Sequence, residues 1–213
     1  MTEAIVVHTP PTPPDRLVLM FHGVGAHPED LVPLGMALAH HLPHAQIVSI
    51  RSPHPCSMGV GWEWFSVAGV SEANRPERVA QAMPGFLDAV ASWQKQANVT
   101  TAHTVLIGFS QGAIMALEAS LAKPGLAGRV FALAGRLATT PQCSASPTII
   151  HLLHGNQDPV MPVQLALSAR QQLSEMGTQV TLQQFDGLAH HIDERVLEAI
   201  LEHLKPCDEA SQS

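Results

Sequence analysis

Apolar residues along this chain fall into two kinds of run, and the two kinds alternate. Leu17-Val18-Leu19-Met20-Phe21 is continuously apolar, as expected of a strand covered on both faces. The stretches 45–50, 105–107, 129–134, 148–153 and 180–185 read as further strands. Ile5-Val6-Val7 reads as a first edge strand, cut off by Pro10-Pro11-Thr12-Pro13-Pro14, which must be extended. Between these runs the apolar positions recur at helical spacing. Leu31, Leu34 and Leu38 follow Pro28-Glu29-Asp30. Val79, Met83, Phe86, Leu87, Val90 and Trp93 line one face of a stretch from about 76 to 97, which Pro84 should kink or split. Other helical stretches begin at Ala113, run over 162–176 up to Gly177, and carry Val196, Ile200 and Leu204. The alternation predicts an α/β fold, a mainly parallel sheet with helices on both faces, in one domain over 1–206 with no large cap domain. A polar tail, 207–213, is expected to be disordered. Residues 51–73 break the rhythm with Pro53, Pro55, Gly59 and Gly61, then Trp62-Glu63-Trp64-Phe65. A long irregular segment in such a domain is a candidate functional loop or lid.

The sharpest local signal is Gly108-Phe109-Ser110-Gln111-Gly112, set between a strand and a helix. That context is what a nucleophile elbow requires: a turn tight enough to strain Ser110, with no room for side chains at Gly108 and Gly112. The five-residue string alone would arise by chance in roughly 7% of chains this long, so the strand and helix around it carry much of the weight. In open α/β sheets function collects at the carboxyl ends of strands. Three further groups fall at such ends: His22-Gly23-Val24, Asp158, and His190-His191. Their order, nucleophile then acid then histidine, matches the α/β-hydrolase arrangement. Ser110 needs a base to take its proton; a histidine serves near neutral pH, and a carboxylate holds the imidazole's tautomer and charge. The backbone N–H groups of Gln111 and Val24 are placed to receive an oxyanion. Adjacent residues project in different directions, so only one of His190 and His191 faces Ser110. Asp186, in an Asp-Gly turn, is a rival to Asp158, which could itself be only a turn residue. His154 reads as a satisfied buried histidine, and His22 as a support for its own loop. Trp62, Trp64, Phe65 and Met161 are candidate lining for an acyl pocket; the tryptophans and Phe65 serve equally well as anchors of the loop to the core.

Composition narrows the partners. The chain has 213 residues, 11 Lys and Arg against 18 Asp and Glu, and a formal net charge of −7, with its bases scattered. No basic stripe follows a nucleic-acid backbone. No apolar stretch reaches the ~18 residues of a membrane span, and the first residues lack the charged and apolar regions of a signal peptide. Cys56, Cys143 and Cys207 are odd in number and far apart, which argues against a disulfide framework and for a reducing, cytoplasmic home. Of the 13 histidines, the adjacent pairs His40-His41 and His190-His191 lack the i, i+4 spacing that puts two ligands on one helix face, and no H-E-x-x-H occurs. The expectation is no metal, no cofactor, a small-molecule ester as substrate, and a monomer or homodimer.

The stretches Phe21-His22-Gly23-Val24-Gly25, Trp64-Phe65-Ser66-Val67, Ile107 through Ala113, His154-Gly155 through Asp158-Pro159-Val160, and Leu188-Ala189-His190 occur in an order covering nearly the whole chain. Together they resemble the phospholipase/carboxylesterase family of serine hydrolases, which includes acyl-protein thioesterases, and in particular its bacterial carboxylesterase branch. The resemblance implies a single-domain α/β-hydrolase fold, with Ser110 as nucleophile, Asp158 as acid, His190 as base, and an oxyanion hole from Val24 and Gln111. It favours His190 over His191 because His190 fills the histidine slot of the family's Leu-Gly-His motif. Two positions depart from the family pattern: Ala26 stands where Asp is usual, and Ala189 where Gly precedes the histidine. Both bear on loop geometry and so on substrate choice. The expected activity is cleavage of carboxylic esters with short to medium acyl chains, with thioesters or lysophospholipids as the alternative and a non-catalytic binding module as the minority reading.

Overall fold

The computed structural model describes residues 3–205; the tail from 207 and Cys207 lie outside the described residues. In chain order the elements are β1 (Ala4–His8), β2 (Arg16–Phe21), a 3-10 turn (Pro28–Leu31), α1 (Val32–His41), β3 (Ala45–Ile50), β4 (His54–Pro55), β5 (Trp62–Glu63), α2 (Arg75–Ala97), β6 (Thr104–Phe109), α3 (Gln111–Ala122), β7 (Arg129–Leu133), β8 (Ile149–Gly155), α4 (Gln164–Glu175), β9 (Val180–Phe185) and α5 (Glu194–Leu204). Seven strands form one sheet in the order β1-β3-β2-β6-β7-β8-β9. Among the described residues, β1 alone in this sheet runs antiparallel to its neighbour.

The sheet divides the core in two, and β2 shows how. Leu17 through Phe21 are each 0% exposed. Leu17, Leu19 and Phe21 face the layer of α2, α3 and α4, while Val18 and Met20 face α1 and α5. That period of two turns a continuous apolar run into two buried faces. Helix α3 is buried over Gln111–Leu121, so it is covered all round and does not show the amphipathic pattern of a surface helix.

Two expectations become sharper. Helix α2 is one element from Arg75 to Ala97, so of the two effects expected of Pro84, a kink or a split, the split does not occur. Pro84 and Ala80 are both exposed, so the Ala80 carbonyl that Pro84 leaves without a helical donor stands on the solvent side, where its desolvation cost is small. The irregular segment 51–73 contains a small hairpin, with His54 opposite Glu63 and Pro55 opposite Trp62. Its strands are too short to show an alternating pattern.

The chain reaches β3 on one side of β2 and returns to β6 on the other. Loops after β2 and β6 therefore leave in opposite directions and open a crevice between them. There Gly23 meets Ser110: a β-carbon added at Gly23 would lie 3.3 Å from Ser110 Cβ.

Candidate active site

Ser110 sits at φ 52°, ψ −113°, outside the conformations a residue with a β-carbon prefers. The closeness of the turn explains why the strain persists. A β-carbon at Gly108 would come within 2.4 Å of Gly112 O, and one at Gly112 within 2.1 Å of Phe21 O. The Ser110 N–H donates to Leu133 O at 2.9 Å, tying the elbow to β7. Gln111 opens α3, so its N–H belongs to the first turn, whose donors have no intrahelical acceptor.

On the far side of the crevice stands Asp158, its side chain 0% exposed. Its Oδ1 accepts the N–H groups of Val160 at 2.9 Å and Met161 at 2.8 Å. Its Oδ2 lies 2.7 Å from His190 Nδ1. A carboxylate only accepts, so the Nδ1 proton points at Asp158 and Nε2 is left as the acceptor. The His190 ring packs beside Phe109, centroids 4.9 Å apart, next to the elbow. Close packing carries it there: a β-carbon at Gly155 would fall 2.1 Å from Leu188 O.

The rival residues have other partners. Asp186 Oδ1 accepts from Asn156 Nδ2 at 2.7 Å and closes a surface turn. His191 is exposed. His154 is 1% exposed and donates Nε2–H to Met161 O at 2.6 Å, with Asp158 Oδ2 3.7 Å away. Burial pushes its pKa down, so it stays neutral beside the carboxylate.

The loop after β2 is held differently. His22, 1% exposed, donates Nδ1–H to Gly23 O at 2.7 Å, and its Nε2 accepts the Ser52 N–H at 3.1 Å. Burial lowers its pKa as well. Gly25 N–H donates to Trp62 O at 2.9 Å, and Trp62 N–H to Ala26 O at 3.0 Å. Val24, between these ties, is 38% exposed at the mouth of the crevice.

Of the two readings open for the aromatic group, pocket wall and loop anchor, the burial of Trp64 and Phe65 fits the second. Trp64 is 2% exposed and Phe65 5%. The Trp64 ring packs on Phe21 and Phe86, at 5.5 and 5.3 Å, and its Nε1–H donates to His22 O at 2.9 Å. It is an anchor of the loop, as its apolar body and single donor suit it to be. Trp62 is half-buried under the Arg51 guanidinium, 3.8 Å above the ring. Met161 is half-buried beside Asp158 and serves it through backbone groups. The sequence reading missed the side chain of Gln111. Its Oε1 accepts the Trp64 N–H at 2.8 Å and its Nε2 donates to Phe65 O at 2.7 Å. A polar residue heading a helix that is otherwise nearly all apolar was the available signal. Among the described residues no group of three or more His, Cys, Asp and Glu is arranged to hold a metal, and no helix is long and apolar enough to cross a membrane.

A parallel sheet with helices on both faces, a strained serine at a strand-to-helix elbow, and an acid–histidine pair at later strand ends define an α/β hydrolase. The model of the phospholipase/carboxylesterase family matches residues 2–208, and the chain belongs to that family, an enzyme of the esterase type. It is 44% identical to "Esterase YpfH" of Escherichia coli (strain K12) over 203 residues, 95% of this chain and 88% of that protein. It is 28% identical to "Acyl-protein thioesterase 1" of Neurospora crassa over 76% of this chain and 71% of that one. Among solved structures, esterase PE8 superposes with a TM-score of 0.85 at 27% identity, covering 95% of this chain and 96% of the other.

Proposed function

We propose that this enzyme hydrolyses carboxylic esters of short to medium acyl chains through an acyl-enzyme on Ser110. His190 Nε2 takes the Ser110 proton as the hydroxyl attacks the ester carbonyl, then returns it to the departing alcohol. Asp158 keeps the imidazole in that tautomer and offsets its charge once protonated. The oxyanion is met by the N–H groups of Gln111 and Val24. Water, activated by the same histidine, then releases the acid. The observation that carries this reading is the strained Ser110 elbow, whose Phe109 packs 4.9 Å from the ring of a His190–Asp158 pair bonded at 2.7 Å. Val24 at 38% and Val160 at 62% exposure give an acyl group apolar surface beside the crevice.

Ser110→Ala should lower turnover of p-nitrophenyl butyrate by about 10⁴-fold or more and abolish labelling by a fluorophosphonate. Retained turnover or labelling removes the reading. Thioester cleavage is favoured by the relative named as an acyl-protein thioesterase. Oxygen and thio esters of one acyl group, compared by kcat/KM, separate the two.

A further inference from the structure

Behind the segment that Gln111 grips lies a cavity of about 470 Å³, lined by His54, Glu63, Trp64, Phe65, Ser66, Arg78, Gln81 and Ala82. None of Ser110, Asp158, His190 or Val24 lines it. Its volume is in the range of small-molecule sites. Its chemistry is wrong for an acyl chain, because the Glu63 and Arg78 side chains would lose water to an apolar occupant with nothing in return.

Glu63 is 3% exposed and flanks the cavity from the hairpin. Its Oε2 accepts the Ser57 hydroxyl at 2.9 Å and the Val67 N–H at 3.3 Å. Among the described residues no donor reaches Oε1, and no Lys, Arg or His forms an ion pair with Glu63. Arg78 flanks the cavity from α2. Its Nη1 donates to Ser66 O at 2.6 Å and Ala68 O at 2.8 Å, and its Nη2 to Gly69 O at 3.4 Å. Those carbonyls orient the guanidinium but carry no full charge. The Nε–H and a second Nη2–H have no partner among the described residues, and together they form the edge that binds carboxylate or phosphate with two hydrogen bonds. The anion and the cation are tied to successive residues, Glu63 to Val67 and Arg78 to Ser66, so they stand on either side of one short segment of chain. His54 and Gln81 add further polar groups.

We propose that this cavity is a second binding site, for a small zwitterion whose ammonium meets Glu63 and whose carboxylate or phosphate meets Arg78. A singly charged ligand leaves one of the two charges uncompensated. A zwitterion answers both without adding net charge beside the buried Glu63 side chain. The site is tied to the candidate active site through its wall: the Trp64 N–H and Phe65 carbonyl are the groups that Gln111 holds.

Titration calorimetry on the full chain tests this with glycine, β-alanine and γ-aminobutyrate, which span three charge separations, against n-butylammonium and butyrate. At least one zwitterion should saturate, at least tenfold more tightly than either singly charged probe. Glu63→Gln should weaken it at least tenfold. Gln81→Trp, which fills the cavity from an exposed position on α2 and leaves both charges in place, should abolish it. The same titration on Ser110→Ala should match wild type, so the result stands apart from any catalytic role of that serine. The proposal is overturned if no zwitterion saturates, if butylammonium or butyrate binds as well, or if binding survives Gln81→Trp.

Discussion

The two sides of the crevice are built by different means. On the Asp158 side the proposed acid and base hold one another directly, carboxylate to imidazole, with the 158–161 turn donating two N–H groups to the same acid. On the Val24 side nothing reactive is held by a reactive neighbour. The loop is fixed by backbone bonds to Trp62, by the Trp64 indole, and by the buried His22 ring. Gln111 links that scaffold to the elbow. The first side depends on a few short charge-assisted bonds, so a single substitution removes a chemical role. The second depends on many neutral bonds, so a single substitution shifts a position.

The largest expected effects fall on the first side. His190→Ala and Asp158→Asn should each lower kcat by about 10³- to 10⁴-fold, while His191→Ala stays within about twofold of wild type. A collapse in His191→Ala with His190→Ala active would reassign the base. Next comes Gln111→Ala, which keeps the backbone N–H but releases the Trp64–Phe65 segment. A fall of about 10- to 100-fold in kcat with KM little changed is expected, read in steady-state kinetics on one activated ester. Trp64→Phe keeps most of the ring packing and deletes only the bond to His22 O. It should cost about 1 kcal/mol in denaturant unfolding and lower kcat by less than tenfold. If Trp64→Phe matched Asp158→Asn in damage, the contrast between the two sides would fail.

A smaller effect lies away from the crevice and serves as its baseline. His151, 3% exposed, stacks between Phe131 and His203, with centroids 4.8 and 4.0 Å away. Burial, with added repulsion from His203 and Arg129, pushes its pKa down to about 3. Its Nε2 has no hydrogen-bond partner among the described residues. The unfolded chain protonates this ring below about pH 6.5 and the folded chain does not. Its contribution to stability is therefore complete above that pH and is lost as pH falls toward 3, about 2 kcal/mol at pH 5. His22 and His154 are lowered too, and add in the same direction. Thermal unfolding from pH 7.5 to 5 should show the decline, and His151→Phe should flatten it; an unchanged slope would exclude His151 as a source.

The difference between the two sides also governs what could be read from the letters. The Ser110 elbow and the Asp158–His190 pair were legible because the proposed roles demand fixed residue types at strand ends, and because Gly108 and Gly112 mark a backbone that tolerates no β-carbon. The strands were legible because burial on both faces leaves an unbroken apolar run. The Val24 side was legible only in part. Its ties are mostly backbone groups, which any residue carries, and its hairpin strands span two residues each. The aromatic cluster at 62–65 was conspicuous, yet ring count does not say whether a ring faces substrate or core. Trp64 was decided by where Phe21 and Phe86 lie, and Pro84 by which side of α2 meets water.

Gly61 carries a consequence for reshaping this enzyme. With φ at 74° and a hypothetical β-carbon 2.1 Å from Gly25 O, it presses the hairpin directly onto the loop that carries Val24. A library that randomises position 61 should return mostly dead clones whatever ester is used for selection. Met58 and Val60, 74% and 75% exposed on the same hairpin, are where diversity would be tolerated.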